Sequence, residues 1–284
     1  MVAAARLRKA QERMNEARPY TAKIREIVTK LIKKSDSSNP LLRSNQESGK
    51  VLVMVMGSDR GLCGGFNTNL FRIVERKIRD DFAEHLEEGS LALVCFGKKP
   101  YDYFQKRKYP IIDHKIGFFD HLKYEQVGKV IREVMDDFRD GKYREVHLAY
   151  NEFKSVIAQS RRFEQILPLN AEKLNGADLV GKDDKKSGGS DVKKDLSDID
   201  YLYEPDSDTI LNHVLPLLVT IRLWQASLES YAAEQGARMT AMDSATENAG
   251  EIINDLQLKY NQARQAAITT ELSEIVSGAE ALSK

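Results

Sequence analysis

The residues with the clearest potential for chemistry lie in the segment GSDRGLCGGFN, residues 57–67, which contains four glycines and one cysteine. The segment follows the apolar run KVLVMVM and precedes a helical pattern, so it occupies a strand-to-helix turn. Doubly wound folds bind phosphate at such turns. However, the segment matches neither GxGxxG nor GxxxxGK[ST], and it contains no lysine that could meet a phosphate. Nucleotide binding is therefore one hypothesis, beside a structural turn whose glycines permit positive φ and close packing.

Cys63 is the candidate nucleophile of this turn, because a thiol at a helix N-terminus ionises more easily. No histidine stands in a recognisable relation to it, since the histidines are scattered: His85, His114, His121, His147 and His213. The sequence also lacks HExxH, paired catalytic carboxylates and a Ser-His-Asp spacing. We therefore predict no catalytic, cofactor-binding or metal-binding residues, and no enzymatic activity of the chain's own.

The composition of the whole chain narrows the classes of partner. Lys plus Arg and Asp plus Glu both number 43 in 284 residues, and this balance argues against a nucleic-acid partner. The two cysteines are too few for a disulfide framework and suit a reducing compartment. No apolar run approaches the roughly 18 residues that a membrane helix needs. We therefore expect no direct membrane span.

The pattern of residues 50–170 predicts an α/β domain. Apolar strands are predicted at 50–56, 90–97, 110–116 and 145–153, with helical patterns at 69–82 and 124–140. Helices between apolar strands favour a Rossmann-like, mainly parallel sheet. Residues 160–169 follow the previous strand too closely for a parallel crossover, so we expect an antiparallel edge strand there.

Residues 1–36 predict a long helix with a heptad seam. Small or apolar side chains recur at steps of three and four: Ala3, Leu7, Ala10, Met14, Ala17, Thr21, Ile24, Val28 and Leu31. Pro19 should bend the helix locally. Residues 1–34 contain ten Lys or Arg against three Glu, a net charge of +7. This charge predicts either a solvated face or an acidic partner surface.

Residues 206–284 predict a second long helix, which is uninterrupted by proline from 217 to 282. Its apolar positions are Met242, Ala245, Ala249, Ile252, Leu256, Tyr260, Ala263 and Ala267, and residues 221–284 have a net charge of −4. Opposite charges favour antiparallel pairing with the first helix, although pairing between chains is the alternative. The seam is poor in Leu, so we expect other chains to complete its environment.

Together these patterns predict an α/β fold plus a long antiparallel helical coiled coil. The Rossmann-like domain is inserted between the N-terminal and C-terminal helices. Residues 171–205 connect the domain to the last helix, and their polar part, 173–200, predicts a mobile loop.

The segments MVAAARLRKAQ, GSDRGLCGGFN, DYLYEP and residues 237–282 together resemble the γ subunit family, the central stalk, of F-type ATP synthases. The resemblance covers nearly the whole chain and is most specific in residues 237–282. It implies a rotor shaft that couples rotation of the membrane c-ring to ATP synthesis or hydrolysis at surrounding catalytic subunits. The implied partners are the ring of alpha and beta subunits, the epsilon subunit and the c-ring.

The resemblance also implies a location and particular contact residues. The location is the cytoplasmic face of the cell membrane, as a peripheral subunit, or the matrix side of the inner membrane in an organelle. Contacts with a catalytic subunit are expected from Arg264, Gln265, Thr269 and Glu271. Contacts with the c-ring are expected from Tyr201, Tyr203 and Glu204. The basic first helix would face acidic segments of the catalytic subunits.

The sequence departs from the family pattern at two points, which limit the family properties that are expected of this chain. Met1 aligns with an internal methionine of the pattern, so contacts of the opening helical turns are not assigned. The cysteine pair of light-regulated members has no counterpart here, so thiol switching is not predicted. The alternative functions are a nucleotide-binding regulator centred on residues 57–65 and a coiled-coil scaffold protein.

Overall fold

The computed structural model describes residues 2–34, 39–42, 49–120, 122–156, 158–170, 204 and 206–282. Its contacts divide the chain into two units, Met1–Met239 and Thr240–Lys284. The loop predicted at 173–200 lies outside the described residues, as do Tyr201 and Tyr203.

The helices and strands follow one another in a largely alternating order. They are α1 (Val2–Lys34), a short 3-10 helix (Pro40–Leu42), β1 (Lys50–Met56), α2 (Phe66–Asp81), α3 (Ala83–Glu87), β2 (Leu91–Phe96), α4 (Lys98–Lys106), β3 (Ile111–Lys115), α5 (Tyr124–Arg139), β4 (Tyr143–Phe153), β5 (Gln159–Leu167) and α6 (Ser207–Leu282).

The described strands form a five-stranded sheet in the order β3-β2-β1-β4-β5. Strand β1 pairs in parallel with β2 and β4, and β2 pairs in parallel with β3. Strand β5 is antiparallel to β4. This is the strand order of a Rossmann-like fold. The predicted mainly parallel sheet and its antiparallel edge strand are both confirmed.

Strand β1 is an almost uninterrupted run of apolar residues because both of its faces are covered. Val51, Val53 and Val55 pack in the cluster that contains side chains of α2 and α4. The alternate residues, from Leu52 to Met56, pack in the cluster that contains side chains of α1, α5 and α6. A strand covered on both faces has no polar positions, because each face lies against a layer of helices.

Helices α3 and α4 were not predicted from the sequence. Helix α4 has an apolar face, formed by buried Pro100 and Phe104 and by half-buried Tyr101 and Tyr103, but its nine residues are too few for this pattern to stand out from the surrounding loops. Helix α6, placed at 206–284 by the sequence analysis, spans Ser207–Leu282 in the structure and contains Pro216. Its start is fixed by Asp206, whose carboxylate accepts a hydrogen bond from the Thr209 backbone N–H at 2.9 Å.

The seam predicted on α1 is the face that the structure buries. Its buried members are Leu7, Ala10, Met14, Thr21, Ile24, Val28 and Leu31. The first three belong to a cluster with Ala232 and Ala233 of α6. The last three belong to the large cluster that includes Leu211 and Leu215. The buried face of α1 is therefore covered in part by residues between 211 and 233.

The second predicted seam, from Met242 to Ala267, has a different environment. All eight of its side chains are exposed. The buried residues of α1 cluster with the earlier part of α6, and pairing of the later seam with the first helix stays a prediction. The exposed seam agrees with the expectation that other chains complete its surroundings.

Leu31→Ala tests the assignment of the α1 seam. Leu31 is fully buried, so its truncation should lower the free energy of unfolding by about 2–5 kcal/mol. Urea denaturation followed by circular dichroism measures the change. Ile27→Ala is the matched control, because Ile27 is 40% exposed on the same helix and should lose much less. Equal losses in the two variants would contradict the assignment.

Candidate functional site

The glycine-containing turn at residues 57–65 packs tightly on the start of α4. A Cβ on Gly57 would lie 2.7 Å from Cδ of Pro100. Gly97 has φ of +98°, and a Cβ there would lie 2.8 Å from the Gly57 carbonyl oxygen. Gly57 is therefore required by close packing on the Pro100 ring, and Gly97 by close approach to the Gly57 backbone, which is the structural role considered for this turn.

Asp59 ties this turn to two other segments. Its Oδ1 accepts hydrogen bonds from the backbone N–H of Lys98, at 3.0 Å, and of Gly117, at 2.9 Å. Lys98 is the first residue of α4, so a carboxylate of the chain itself lies at the positive end of that helix. A negative charge there would repel a phosphate.

Cys63 lies in a small polar network under the turn. It is 2% exposed, and its Sγ accepts a hydrogen bond from Asn67 Nδ2 at 3.3 Å. Asn67 also binds Ser58, through Nδ2 to Ser58 Oγ at 2.7 Å and through Oδ1 to the Ser58 N–H at 3.0 Å. Burial raises the pKa of the Cys63 thiol. This environment favours the thiol over the nucleophilic thiolate. Cys63 therefore has a structural role, as part of the hydrogen-bond network that holds the turn.

Arg238 of α6 holds the outer part of the turn. Its guanidinium donates hydrogen bonds to the carbonyl oxygens of Arg60, at 3.3 Å, and Gly61, at 3.4 Å. It also forms an ion pair with Glu234 at 2.7 Å. Burial raises the pKa of Glu234 to about 6, although Arg238 opposes the rise. The sequence prediction missed this clamp, and the i,i+4 spacing of the two charges was the available signal.

The clamp leaves Leu62 pointing outward at the tip of the turn. Leu62 is 76% exposed and has φ of +62°, in the left-handed region. A leucine in this conformation costs about 1–2 kcal/mol, so the hydrogen bonds around it must hold the backbone in place.

The four predicted contacts with a catalytic subunit all lie on the exposed surface of the second unit. Arg264 and Glu271 are seven residues apart, which is nearly two helical turns, so they share one side of α6. Gln265 and Thr269 share another side, roughly 130° around the axis. The structure therefore groups these residues as two pairs.

Thr269 belongs to a series of hydroxyl groups that bond to their own helix. Its Oγ1 donates to the Gln265 carbonyl oxygen at 2.8 Å, and Ser273 and Ser277 make the same i−4 bond at 2.8 and 2.7 Å. Because its proton is used in this way, the Thr269 hydroxyl offers an acceptor, and a partner group must be a donor.

Of the three predicted c-ring contacts, the structure describes only Glu204, which is exposed. Tyr201 and Tyr203 lie outside the described residues, so this prediction stays untested.

Across the described ranges, no helix combines the length and the apolarity that crossing a bilayer requires.

Comparison with known proteins gives consistent matches. A family profile described as ATP synthase matches residues 1–282. The ATP synthase gamma chain of Chlorobaculum parvum is 44% identical over 283 residues, which cover 99% of this chain and 91% of that protein. The ATP synthase gamma chain of Salinibacter ruber is 42% identical over 283 residues, with coverage of 99% and 91%.

Solved structures share the fold. A chain of the central stalk/c-ring structure of the Tetrahymena thermophila mitochondrial ATP synthase matches with a TM-score of 0.59 and 22% identity, covering 87% of this chain and 96% of that one. A chain from the OSCP/F1/c-ring structure of the Euglena gracilis mitochondrial ATP synthase matches with a TM-score of 0.59 and 16% identity, covering 98% and 95%.

Glu234→Gln tests the buried clamp through its pH dependence. The pKa of Glu234 rises from 4.5 to about 6 on folding, so the folded chain binds this proton more tightly than the unfolded chain. Protonation of Glu234 therefore stabilises the folded chain. This stabilisation is complete below the pKa of Glu234 in the unfolded chain, and it is lost as the pH rises through the pKa of Glu234 in the folded chain. An increase of this size corresponds to about 2 kcal/mol.

We therefore expect the unfolding free energy of the unmodified chain to fall, between about pH 4 and pH 7, by about 2 kcal/mol more than that of Glu234→Gln. Urea denaturation at both pH values measures this difference. Glu133→Gln, on the exposed surface of α5, controls for the removal of one negative charge. If Glu234→Gln and the unmodified chain showed parallel pH dependence, the clamp would not titrate as described.

Proposed function

Because the chain belongs to the ATP synthase gamma chain family, we propose that it is the central rotor shaft of a proton-translocating F-type ATP synthase. It couples rotation of the membrane c-ring to ATP synthesis or hydrolysis at the surrounding catalytic subunits. It is a non-catalytic subunit, and the chemistry occurs on the alpha and beta subunits around it.

The observation that carries this proposal is the exposed surface of the second unit. Every residue from 251 to 281 is exposed, although the stretch is helical and contains many large apolar side chains. Those at least 49% exposed are Ile252, Ile253, Leu256, Leu258, Tyr260, Ile268, Leu272, Ile275 and Val276. An apolar surface of this extent marks a protein interaction site.

The distribution of these side chains supports a partner that surrounds the helix. Ile252, Leu256 and Tyr260 lie on one side, whereas Leu272, Ile275 and Val276 lie roughly on the other. A helix that is apolar on several sides is normally buried all round. A ring of alpha and beta subunits provides such an enclosure, whereas a two-stranded scaffold would cover one side only.

The charge of α1 supports the same partner. Arg6, Lys9 and Arg13 of α1 are exposed. In the proposed assembly they face acidic segments of the catalytic subunits, where opposite charge favours association and orientation. In the same assembly α1 and α6 form an antiparallel coiled coil.

The remaining contacts complete the coupling path. Tyr201, Tyr203 and Glu204 dock on the c-ring, and the epsilon subunit binds beside the sheet domain. The complex places the chain at the cytoplasmic face of the cell membrane, or at the matrix side of the inner membrane in an organelle.

Reconstitution tests this function directly. The isolated chain should not hydrolyse ATP. Added to alpha, beta and epsilon subunits and to vesicles that contain the membrane sector, it should restore ATP-driven proton pumping. Hydrolysis by the purified chain, or complexes that assemble and hydrolyse ATP without pumping, would refute the proposal.

Arg264→Ala and Gln265→Ala test the contacts with the catalytic subunits. A hydrogen bond to a charged group contributes about 1.5–3 kcal/mol, so each variant should reduce ATP synthesis in reconstituted vesicles about tenfold or more. Lys259→Ala is the control on the same helix, because Lys259 is exposed and pairs with Asp255 within the helix at 2.8 Å. Equal activity of all three variants would argue against these contacts.

A further inference from the structure

Strand β5 and helix α6 are joined by two polar contacts within the first unit. Glu164 of β5 pairs with Arg222 of α6, and Gln159 of β5 binds the backbone of α6 at Ala233. We call these contacts the two β5–α6 keys. The sequence contains no local signal for either contact, because each depends on the register between a strand and a distant helix.

The first key is a largely buried ion pair. Glu164 and Arg222 approach to 3.7 Å, and their side chains are 23% and 14% exposed. Burial raises the pKa of Glu164, and Arg222 opposes this rise. The pair lies near Arg25 of α1, whose pKa is lowered by burial and by the charge of Arg222, and near the Arg162–Glu152 ion pair at 2.9 Å.

The second key is a hydrogen bond to the main chain. Gln159 Nε2 donates to the Ala233 carbonyl oxygen at 2.8 Å. Ser230, one turn earlier on α6, donates to the Met56 carbonyl oxygen of β1 at 3.4 Å. These donors bond to carbonyl oxygens whose positions are fixed by the backbone, so they specify where along the sheet α6 must lie.

The spacing of the two keys matches on both elements. Glu164 and Gln159 are five strand residues apart, or about 17 Å. Arg222 and Ala233 are eleven helical residues apart, or about 16–17 Å, and they lie on the same side of α6. Side chains five residues apart lie on opposite faces of a regular strand, and Gln159 is the first residue of β5. The two keys therefore attach α6 to β5 at two separate points.

Apolar packing and the keys act together on this register. The α6 residues between the keys include the buried side chains Leu223 and Leu228 beside the small Ala226 and Ala232. Loss of one partner from a buried ion pair leaves the other charge uncompensated, so the pair disfavours any slipped arrangement.

We propose that Glu164, Arg222 and Gln159 are positioning residues that lock α6 against the sheet and carry torque between the helix and the sheet domain. The torque role rests on the proposed rotor function. The lock itself is a property of the isolated chain, so the two parts are tested separately.

The lock is tested in the full-length isolated chain by pulsed electron spin resonance. Spin labels are attached to cysteines at Lys154, in the exposed β4–β5 turn, and at His213, on the exposed side of α6, after Cys63 and Cys95 are replaced by serine. A labelled chain that retains both keys should give one narrow distribution of the distance between the two labels. Glu164→Gln combined with Gln159→Ala should broaden or shift it.

Two further variants serve as controls for this measurement. Arg161→Gln removes a charge from an exposed position of the same strand and should leave the distribution narrow. The exchange Glu164→Arg with Arg222→Glu keeps an ion pair of reversed polarity. It should give a distribution nearly as narrow as that of the chain that retains both keys. An unchanged distribution in Glu164→Gln with Gln159→Ala would overturn the lock.

The torque role is tested in reconstituted complexes by the number of protons pumped per ATP hydrolysed. With equal amounts of assembled complex, the key variants should hydrolyse ATP but pump fewer protons per ATP, whereas a purely structural role would lower only the amount assembled. A pumping ratio equal to that of the unmodified chain would overturn the torque role. If the unmodified chain itself failed to restore pumping, the rotor function would fall, and the spin-label result would still decide the lock.

Discussion

The packing of one stretch of α6 against the sheet is the constraint on which the first unit depends. Between Leu211 and Leu228, α6 buries apolar side chains in the cluster that also contains alternate residues of β1 and the seam residues Ile24 to Leu31 of α1. Arg222 lies within this stretch, and Arg238 follows it on the same helix. Without this packing, the seam of α1 and one face of the sheet would each lose part of their cover.

The two parts of α6 illustrate different uses of one secondary structure. The earlier part is specified by burial, with small side chains that permit close approach and a few polar groups that fix register. The later part retains large apolar side chains on several sides but is fully exposed from 251 to 281. In the proposed rotor, the first part anchors the shaft and the second presents a surface to the surrounding subunits.

The features of the fold that depend on short stretches of sequence were predicted from the sequence. The apolar strands, their parallel order, the antiparallel edge and the buried seam of α1 all follow from periodicity and connection length. Helix α4 was missed because it has only nine residues, although one of its faces is apolar. The exposure of the second seam, the Arg238 clamp and the β5–α6 keys depend on contacts between distant segments, which periodicity does not encode. The paired arrangement of Arg264 with Glu271 and of Gln265 with Thr269 follows from helical geometry once α6 is known.

The rotor account is tested most directly by observing rotation. A complex of this chain with alpha and beta subunits is fixed to a surface through the ring, and a bead is attached to a cysteine at Glu133, on the exposed surface of α5. The account predicts that ATP drives stepwise rotation of the bead in one direction, and that the rotation stops when ATP is removed. Continued ATP hydrolysis by the same complexes with a stationary or randomly fluctuating bead would contradict it.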